Sequence, residues 1–363
     1  MYKEGKAAIR QQSAFLNSKA KFIRDLSVGF MQIKANKNSN VIDATGGTGI
    51  RGIRYLLESK AKNVTILDMN ASAVKAIKAN ALLNKVKPKI VKISFQEFSN
   101  SSKEKFDFID IDPFGGLHPY IYDAIKIAKG GSYLMLTATD TAVLCGAHRD
   151  ACVKLYGAIP IHNELCHEAG IRILINYVVG IAAQFNFGIE VSLSVFQAHY
   201  FRIFIKLVHG SKSALDSISR CGYVSYCESC KWRSCRIGVL PLQTKCENCG
   251  SNAKAAGRMW LGNLYNKRDA LDLLKYFEKN ITEKSEISMM EKISEEYDSL
   301  FFYSIPVITK SKKIPSVSPS AIIEKLKAKG YLATPTHFDP DGIKTNAGIK
   351  DLDRLVDKLG EKH

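Results

Sequence analysis

The sequence has no hydrophobic run long enough to cross a membrane. Its longest apolar stretch, residues 171–181, contains Arg172, Asn176 and Gly180 and falls short of the roughly 20 residues that a membrane-spanning helix requires. The first six residues are polar and lack the apolar stretch of a secretory signal. We therefore expect a soluble, cytoplasmic protein.

Acidic residues are scarce relative to basic ones. The chain has 35 Asp and Glu against 52 Lys and Arg, for a formal net charge of +17. The excess is concentrated in residues 1–130 and 211–262. Such a charge favours binding to a polyanion through phosphate contacts and counterion release, although a lysine-rich, solvated surface would have the same composition. With 46% hydrophobic residues, the chain is not disordered throughout.

Cysteines are few outside one short segment. Three of the nine, Cys145, Cys152 and Cys166, are scattered through apolar sequence, where we expect small buried side chains. The other six are crowded between residues 221 and 249. In a cytoplasmic protein this distribution argues against a disulfide framework.

Four of the crowded cysteines have the spacing of a structural zinc site. They form two knuckles fifteen residues apart, Cys227-x2-Cys230 and Cys246-x2-Cys249. Two such knuckles supply four thiolates to one Zn²⁺ and leave no position for water, so the metal would be structural. Cys221 or Cys235 could replace one of these ligands, and free or redox-active thiols are the alternative interpretation.

Short apolar segments alternate with helical patterns in the first part of the chain. The predicted buried strands are residues 41–45, 64–67, 90–93, 106–111 and 133–136. Strands that alternate with helices indicate a doubly wound, parallel sheet. The helical pattern of residues 120–128 is expected to end at the pair Gly130-Gly131. Residues 189–195 and 200–208 alternate with a period of two, which predicts antiparallel strands at one sheet edge.

A glycine turn follows the first predicted strand. Residues 43–49 read Asp-Ala-Thr-Gly-Gly-Thr-Gly, and Gly47, Gly49 and Gly52 satisfy the G-x-G-x-x-G pattern. Glycines between a strand and a helix let backbone amides approach a ligand closely. Asp68, at the end of the second strand, can accept hydrogen bonds from two ribose hydroxyls. NAD and S-adenosylmethionine share that requirement, so these residues predict a nucleotide cofactor without separating the two.

A tetrapeptide after the fourth strand favours methyl transfer to an amine. Asp112-Pro113-Phe114-Gly115 is expected at the carboxyl end of that strand, where open α/β sheets bind ligands. Asp112 and the carbonyl of Pro113 can accept the two N–H groups of an exocyclic amine and hold its nitrogen in line with a methyl group. Phe114 can stack on the base. A dehydrogenase has no use for such a tetrapeptide at this place.

Together these motifs resemble those of the tRNA guanine-26 N2-dimethyltransferase family. Further similar segments extend the resemblance over about residues 5–345. The matched segments are residues 45–54, 110–115, 137–140, 144–148, 164–168, 199–202, 260–262, 336–338 and 342–345. The resemblance implies the transfer of one or two methyl groups from S-adenosylmethionine to the exocyclic amine of guanine 26 in tRNA. We expect tRNA as the binding partner and no obligate protein partner.

The resemblance also implies a fold. We expect an α/β, class I methyltransferase with a Rossmann-like, mostly parallel seven-stranded sheet, a zinc-binding segment and a smaller α+β C-terminal domain. The S-adenosylmethionine-binding domain is placed at residues 1–210, the cysteine-rich segment at 211–262 and the tRNA-binding C-terminal domain at 263–363. The cysteine-rich segment would order a loop that faces tRNA.

The site residues follow from the same resemblance. Asp112 and Pro113 would bind the target amine, and Phe15, in the segment 13–17, would flank a flipped base together with Phe114. The residues expected at the cofactor are Arg24, Asp43, Gly46, Gly49, Arg51, Asp68, Gln96 and Glu97. The pair Gln96-Glu97 stands where the family usually has Asp-Ala near the adenine. Lys310, Lys312 and Lys313 are candidates for contacts with tRNA.

Three other functions remain open at this point. An N6-adenine methyltransferase acting on rRNA or DNA would share the amine chemistry. An NAD(P)-dependent dehydrogenase would share the glycine pattern, and a non-catalytic zinc-ribbon module that binds RNA would share the cysteines and the charge.

Overall fold

The computed structural model describes residues 1–11, 14–238 and 244–360 of the chain. Its strands are β1 (Tyr2–Glu4), β2 (Ala7–Ile9), β3 (Asn40–Asp43), β4 (Asn63–Asp68), β5 (Lys89–Lys92), β6 (Phe106–Ile111), β7 (Ala128–Ala138), β8 (Phe187–Gln197), β9 (Tyr200–His209), β10 (Cys221–Tyr226), β11 (Arg233–Ile237), β12 (Lys254–Trp260), β13 (Tyr303–Ser304), β14 (Ala333–Pro335) and β15 (Gly342–Thr345). In these ranges, every helix is too short or too polar to span a membrane.

Fourteen α-helices connect and cover the strands of the described residues. They are α1 (Lys21–Lys34), α2 (Ile50–Glu58), α3 (Ala71–Leu83), α4 (Phe95–Ser101), α5 (Ile121–Ile127), α6 (Thr141–Leu144), α7 (Arg149–Tyr156), α8 (Cys166–Gln184), α9 (Ser211–Ser219), α10 (Lys267–Asn280), α11 (Lys284–Glu295), α12 (Ile305–Lys312), α13 (Pro319–Ala328) and α14 (Ile349–Gly360). A 3₁₀ turn, Ser18–Ala20, precedes α1.

A seven-stranded sheet forms the centre of the molecule. Its strand order is β5-β4-β3-β6-β7-β9-β8. The pairings from β5 through β7 are parallel, and β9 runs antiparallel to both of its neighbours. The central strands β3 and β6 are buried except at Asn40 and, in part, Asp107, because helices cover both faces of a parallel sheet. The predicted mostly parallel seven-stranded sheet is therefore confirmed, with the two alternating strands at one edge.

The strand order creates a crevice at one end of this sheet. From β3 the chain proceeds to β4 on one side, whereas β6 pairs with β3 on the other side. Connections that leave in opposite directions open a gap at the carboxyl ends of such strands, where α/β proteins bind their ligands. The glycine turn after β3 and the tetrapeptide after β6 meet at this gap.

One predicted helix boundary is wrong. The helix that covers residues 120–128 ends earlier, at Ile127, and the pair Gly130-Gly131 lies inside β7. β7 begins at Ala128, which pairs with Phe106, and the register shifts before Tyr133 pairs with Phe108. A glycine pair in a strand is typical of such an irregularity.

Two hydrophobic cores contain most of the buried apolar side chains of the described residues, and a third, small cluster consists of Ala7, Ile9, Ile50 and Ile53. The larger core contains the side chains of the central sheet and continues through β10, β12, α10 and α11 to Phe301 and Phe302. The smaller core begins at Tyr303 and contains residues of α12, α13 and α14. A three-stranded sheet of order β13-β15-β14 belongs to this C-terminal part, and a second one of order β11-β10-β12 carries the cysteine-rich segment. Residues 263–302 therefore share the core of the large sheet.

Candidate active site and cysteine cluster

A cavity of about 500 Å³ opens at the carboxyl ends of the parallel strands. Ten of the twelve residues predicted for catalysis and cofactor binding line it. They are Phe15, Arg24, Asp43, Gly46, Arg51, Asp68, Gln96, Asp112, Pro113 and Phe114. The loops after β3, β4 and β6 and the segment before α1 therefore converge on one site. Ser13, the first residue of the predicted segment 13–17, lies outside the described residues.

Two predicted cofactor residues are not among those that line the cavity. Gly49 begins α2 in the left-handed conformation, and its amide donates to the Gly46 carbonyl within the turn. The carboxylate of Glu97 accepts hydrogen bonds from the backbone amide and the hydroxyl of Ser94. Glu97 thereby caps the beginning of α4, while the neighbouring Gln96 faces the cavity.

The glycine turn lies tightly against the end of β4. The amide of Gly46 donates to the carbonyl of Leu67 at 2.7 Å, and a Cβ on Gly46 would lie 2.5 Å from the Ile66 side chain. Gly47 has φ +55°, and its amide donates to Asp68 Oδ2 at 2.9 Å. The two sequence signals for a nucleotide cofactor, the turn and the carboxylate, are thus parts of one hydrogen-bonded unit.

Asp112 extends from the tip of β6 into the cavity. Its amide donates to Thr45 Oγ1 at 3.1 Å, which ties the tip to the glycine turn. Its carboxylate is 27% exposed, and Arg51 Nη2 donates to Asp112 Oδ2. Arg51 also contacts Asp110, with Nη1 at 3.4 Å from both carboxylate oxygens. A buried cation therefore joins the cavity carboxylate to a second carboxylate below the cavity floor.

Asp110 is the centre of a buried charge network under the site. Arg202 donates to its two oxygens at 2.9 and 3.0 Å, and the Tyr55 hydroxyl donates to Oδ2. Burial raises the pKa of Asp110, but the guanidiniums of Arg202 and Arg51 outweigh burial and hold the pKa below its usual value. The aspartate is therefore ionised beneath the cavity floor.

The carboxylate of Asp43 lies beside this network and, unlike that of Asp110, has a raised pKa. Burial, together with the charge of Asp110, raises the pKa of Asp43 to about 7. Its Oδ2 accepts a hydrogen bond from the Gly52 amide at 3.2 Å. Asp43 therefore keeps its proton over much of the acidic range, unlike its neighbour Asp110.

Two aromatic rings stand at the mouth of the cavity. Phe15 and Phe114 are 61% and 80% exposed, and their ring centroids lie 4.9 Å apart in an edge-on arrangement. The loop that carries Phe114 is fixed by Thr139, whose amide donates to the Gly115 carbonyl at 3.0 Å and whose hydroxyl accepts from the Gly115 amide at 2.9 Å. Exposed rings on anchored loops offer stacking surfaces for a planar ligand.

Arg24, which lines the cavity, also donates hydrogen bonds to two other residues. Its Nε donates to Glu4 Oε1 at 2.7 Å, and its Nη1 donates to the Asn17 carbonyl at 2.8 Å. Glu4 also accepts a hydrogen bond from Arg54 Nη1 at 2.7 Å. Through Glu4, the first strand of the chain positions an arginine that lines the cavity, which the sequence pattern did not reveal.

The four predicted zinc ligands come together. The sulfur atoms of Cys227, Cys230, Cys246 and Cys249 all lie within 4.8 Å of one another. Cys227 and Cys249 are separated by 3.6 Å, and Cys230 and Cys246 by 3.5 Å. Sulfur atoms around a tetrahedral zinc ion, each about 2.3 Å from the metal, are separated by about 3.8 Å. The donor set and its spacing therefore fit zinc.

The alternative ligands lie elsewhere. Cys221 begins β10 and Cys235 lies within β11, where each is part of the strand pairing. Neither belongs to the four-sulfur group. The structure thus favours the ligand set predicted first.

The cysteine-rich segment contacts the C-terminal core. Trp232 packs against that core. Arg233 donates to the carbonyls of Phe302 and Phe301 at 2.9 and 3.1 Å, and its guanidinium lies 3.8 Å from the centroid of the Tyr303 ring. The segment therefore binds the chain at the point where it passes from the larger core to the smaller one.

Comparisons with known proteins agree with this geometry. Residues 2–357 match a family model described as N2,N2-dimethylguanosine tRNA methyltransferase. A tRNA (guanine(26)-N(2))-dimethyltransferase of Thermococcus kodakarensis is 36% identical over 350 residues, which cover 92% of this chain and 90% of the relative. A protein of the same name from Methanobrevibacter smithii is 33% identical, covering 96% and 92% of the two chains.

A solved structure is similar over nearly the whole chain. Trm1 from Pyrococcus horikoshii, determined in complex with S-adenosyl-L-methionine, superposes with a TM-score of 0.89. The two sequences are 32% identical, and the match covers 98% of each chain.

Proposed function

The chain belongs to the N2,N2-dimethylguanosine tRNA methyltransferase family, and we propose on this basis that it methylates the exocyclic amine of guanine 26 in tRNA with S-adenosylmethionine as methyl donor. It is accordingly an enzyme with the class I methyltransferase fold. One observation in its own site supports the reaction: the amine-binding tip, Asp112 and Pro113, lines the same cavity as the cofactor turn, Gly46 and Asp68. The comparisons support neither an N6-adenine methyltransferase nor an NAD(P)-dependent dehydrogenase.

The assignment of residues to the methyl donor remains part of the proposal. S-adenosylmethionine supplies a methyl group on a positively charged sulfur. Asp68 would accept hydrogen bonds from the ribose, and the backbone of the turn at Gly46 would approach the donor closely. Gln96, which lines the cavity, would contact the adenine, whereas Glu97 caps its own helix. Arg24 and Arg51 would contact the polar end of the donor.

The target amine would be held at the tip of β6. An exocyclic amine attacks a methyl group through its nitrogen lone pair, and acceptors for its N–H groups keep that lone pair aimed at the methyl group. Arg51 donates to Asp112 Oδ2, so we assign the second oxygen of Asp112 and the carbonyl of Pro113 to the amine. After methylation the nitrogen carries an extra proton, which Asp112 can accept.

A direct assay tests the proposed substrate. Unmodified tRNA incubated with the protein and radiolabelled S-adenosylmethionine is expected to yield N2-methylguanosine and N2,N2-dimethylguanosine at position 26. A matched tRNA in which adenosine replaces guanosine 26 should remain unlabelled. Nucleoside digestion and mass spectrometry identify the product. Label in adenosine, or equal label in both tRNAs, would exclude the proposed specificity.

The zinc site is a second element of the proposal. A structural Zn²⁺ bound by Cys227, Cys230, Cys246 and Cys249 would hold the two knuckles together, since four thiolates satisfy the metal fully. Because Trp232 and Arg233 follow the first knuckle after a single residue and contact the C-terminal core, the metal would also support the position of that core.

Replacing one ligand is expected to release the metal. Cys230→Ser should lower the zinc content from one ion per chain towards zero and lower the midpoint of thermal unfolding, because metal binding and local folding are coupled. Elemental analysis and thermal unfolding measure the two effects. Cys235→Ser is the matched control and should keep its zinc. Equal zinc content in the two variants would show that Cys230 is not a ligand.

We also propose a separate function for each of three segments of the chain. Residues 1–210 would bind S-adenosylmethionine, residues 211–262 would carry the zinc, and residues 263–363 would bind tRNA. Of the three lysines considered for tRNA, Lys312 donates to both carboxylate oxygens of Asp357 at 2.9 Å. Lys310 and Lys313 are exposed, so these two are the better candidates for phosphate contacts.

A further inference from the structure

A second cluster of sulfur and nitrogen side chains lies between the end of α6 and the beginning of α8. Cys145 directly follows α6, Cys166 is the first residue of α8 and His167 is the second. The two sulfur atoms and one ring nitrogen of His167 all lie within 4.8 Å of one another. These residues are separate from those that line the active-site cavity and from the four zinc ligands.

The surroundings of Cys166 favour a thiolate. The neighbouring Cys145 thiol lowers the pKa of Cys166 more than burial raises it. His167 and His162 lower the pKa further. The His167 ring is stacked on Phe196, with 3.8 Å between centroids and 15° between the planes, which fixes its orientation. The position at the beginning of a 19-residue helix also favours negative charge.

The two cysteines differ in access to solvent. Cys166 is partly exposed, whereas Cys145 is 9% exposed. The neighbouring Cys166 and burial raise the pKa of Cys145, so it is the thiol of the pair that keeps its proton. An accessible thiolate beside a protected thiol is the arrangement found in redox-sensitive cysteine pairs.

We propose that Cys166 and Cys145 form a redox-active pair in which Cys166 reacts with a hydroperoxide and Cys145 then closes a disulfide. The proximity of the two sulfur atoms, which lie within 4.8 Å of each other, the asymmetry of their exposure and the adjacent His167 support this assignment. The proposal is independent of the methylation reaction.

The chemistry balances with hydrogen peroxide as the oxidant. The Cys166 thiolate attacks one peroxide oxygen, an S–O bond forms, the O–O bond breaks and the hydroxide that leaves takes up a proton to become water. The Cys145 sulfur then attacks the sulfenic acid, an S–S bond forms and the hydroxyl leaves as a second water. Two thiols lose two hydrogens in total and one peroxide becomes two waters. A thiol reductant reverses the step.

Disulfide formation requires a local movement. Bonded sulfur atoms are about 2.05 Å apart, so closing the bond draws the end of α6 towards the beginning of α8. Thr139, just before α6, holds the Gly115 loop through two hydrogen bonds. The proposed disulfide would therefore form behind the loop that carries Phe114.

Two measurements on the full-length, zinc-loaded protein test the proposal. At neutral pH, Cys166 should react with iodoacetamide at least about tenfold faster than Cys152, because burial raises the pKa of Cys152 to about 12 and leaves it almost without thiolate. After treatment with one equivalent of hydrogen peroxide, mass spectrometry should find a peptide that links Cys145 to Cys166 and that dithiothreitol separates.

Single variants keep the test decisive. Cys152→Ser should form the link as the unmodified chain does, and Cys166→Ser should form none. Cys145→Ser should instead accumulate a Cys166 sulfenic acid that dimedone traps. The proposal is overturned if Cys166 is alkylated no faster than Cys152, or if peroxide produces neither the link nor the trapped sulfenic acid. It is also overturned if the purified chain holds two zinc ions and Cys166→Ser loses one, because the cluster is then a metal site.

Discussion

Asp112→Ala is expected to lower kcat for methyl transfer by about 10²–10³-fold, while the Kd for tRNA changes by less than about twofold. Asp112 lies at the tip of β6 and extends into the cavity between the cofactor turn and the exposed rings of Phe15 and Phe114. It is the side-chain acceptor that we assign to the target amine. Without it, the amine loses both its orientation and the group that accepts its proton, whereas the phosphate contacts that determine tRNA affinity remain.

Single-turnover kinetics and equilibrium tRNA binding separate these two effects. Asp150→Ala is the matched control, because the Asp150 carboxylate is 97% exposed and lies outside the cavity. Its kcat should equal that of the unmodified chain. The thermal midpoint of Asp112→Ala should stay near the unmodified value, because Asp110 still pairs with Arg51. A kcat within about threefold of the unmodified value would show that Asp112 is not the amine acceptor.

Asp110→Ala is expected to lower the free energy of unfolding by about 3–5 kcal/mol. Asp110 is fully buried and accepts hydrogen bonds from Arg202, Arg51 and Tyr55. Its removal leaves the fully buried guanidinium of Arg202 without a carboxylate, whereas Arg51 keeps its pair with Asp112. The expected loss of unfolding free energy is the cost of leaving a buried charge uncompensated, and this cost is larger than the net stabilisation that the ion pair contributes.

A neighbouring aspartate provides the control for this second variant. Asp107 lies on the same strand and pairs with Lys129 at 2.7 Å, with both side chains partly exposed. Asp107→Ala should cost no more than about 1 kcal/mol, because water compensates an exposed pair. Denaturant unfolding at neutral pH measures the free energy of unfolding of both variants. Equal losses would mean that the network around Asp110 does not stabilise the fold as the buried contacts imply.

Local sequence patterns predicted most of the scaffold. A buried strand in a parallel sheet must be apolar on both faces, so residues 41–45 and 106–111 are recognisable without knowledge of their neighbours. The Gly130-Gly131 pair was interpreted wrongly because glycine is compatible both with a helix end and with an irregular strand. The choice depended on the pairing of β7 with β6.

The candidate site was predictable where its chemistry depends on residues close together in the chain. The cofactor turn and the Asp112 tetrapeptide are each continuous, and each follows a strand whose direction places it at the same edge of the sheet. The four cysteines predicted to bind zinc are paired in two short knuckles, so their spacing alone predicted the set that the structure brings together. The connection between Arg51 and Asp112 had no such local signal.

In the sequence, the buried networks of charged side chains are indicated only by charged residues that interrupt largely apolar strands. Asp110 and Arg202 are buried charges in largely apolar strands, yet they are 92 residues apart and meet only because their strands, β6 and β9, lie on either side of β7. The same holds for Lys344, which is fully buried and lies 3.4 Å from Glu168 and 3.1 Å from Glu296. This second network joins α8 to the C-terminal sheet.

The amino-acid sequence by itself determined the order of strands and helices, the glycine turn, the tetrapeptide after β6 and the set of four clustered cysteines, because backbone geometry, burial and short-range spacing are encoded in neighbouring residues. Only the tertiary structure decided that Arg51 joins Asp110 to Asp112, that Arg233 binds the junction of the two cores and that Cys166 meets Cys145. Such contacts depend on the relative placement of distant elements. The free energy of burying a charge or a thiol is set by whichever partner that placement provides.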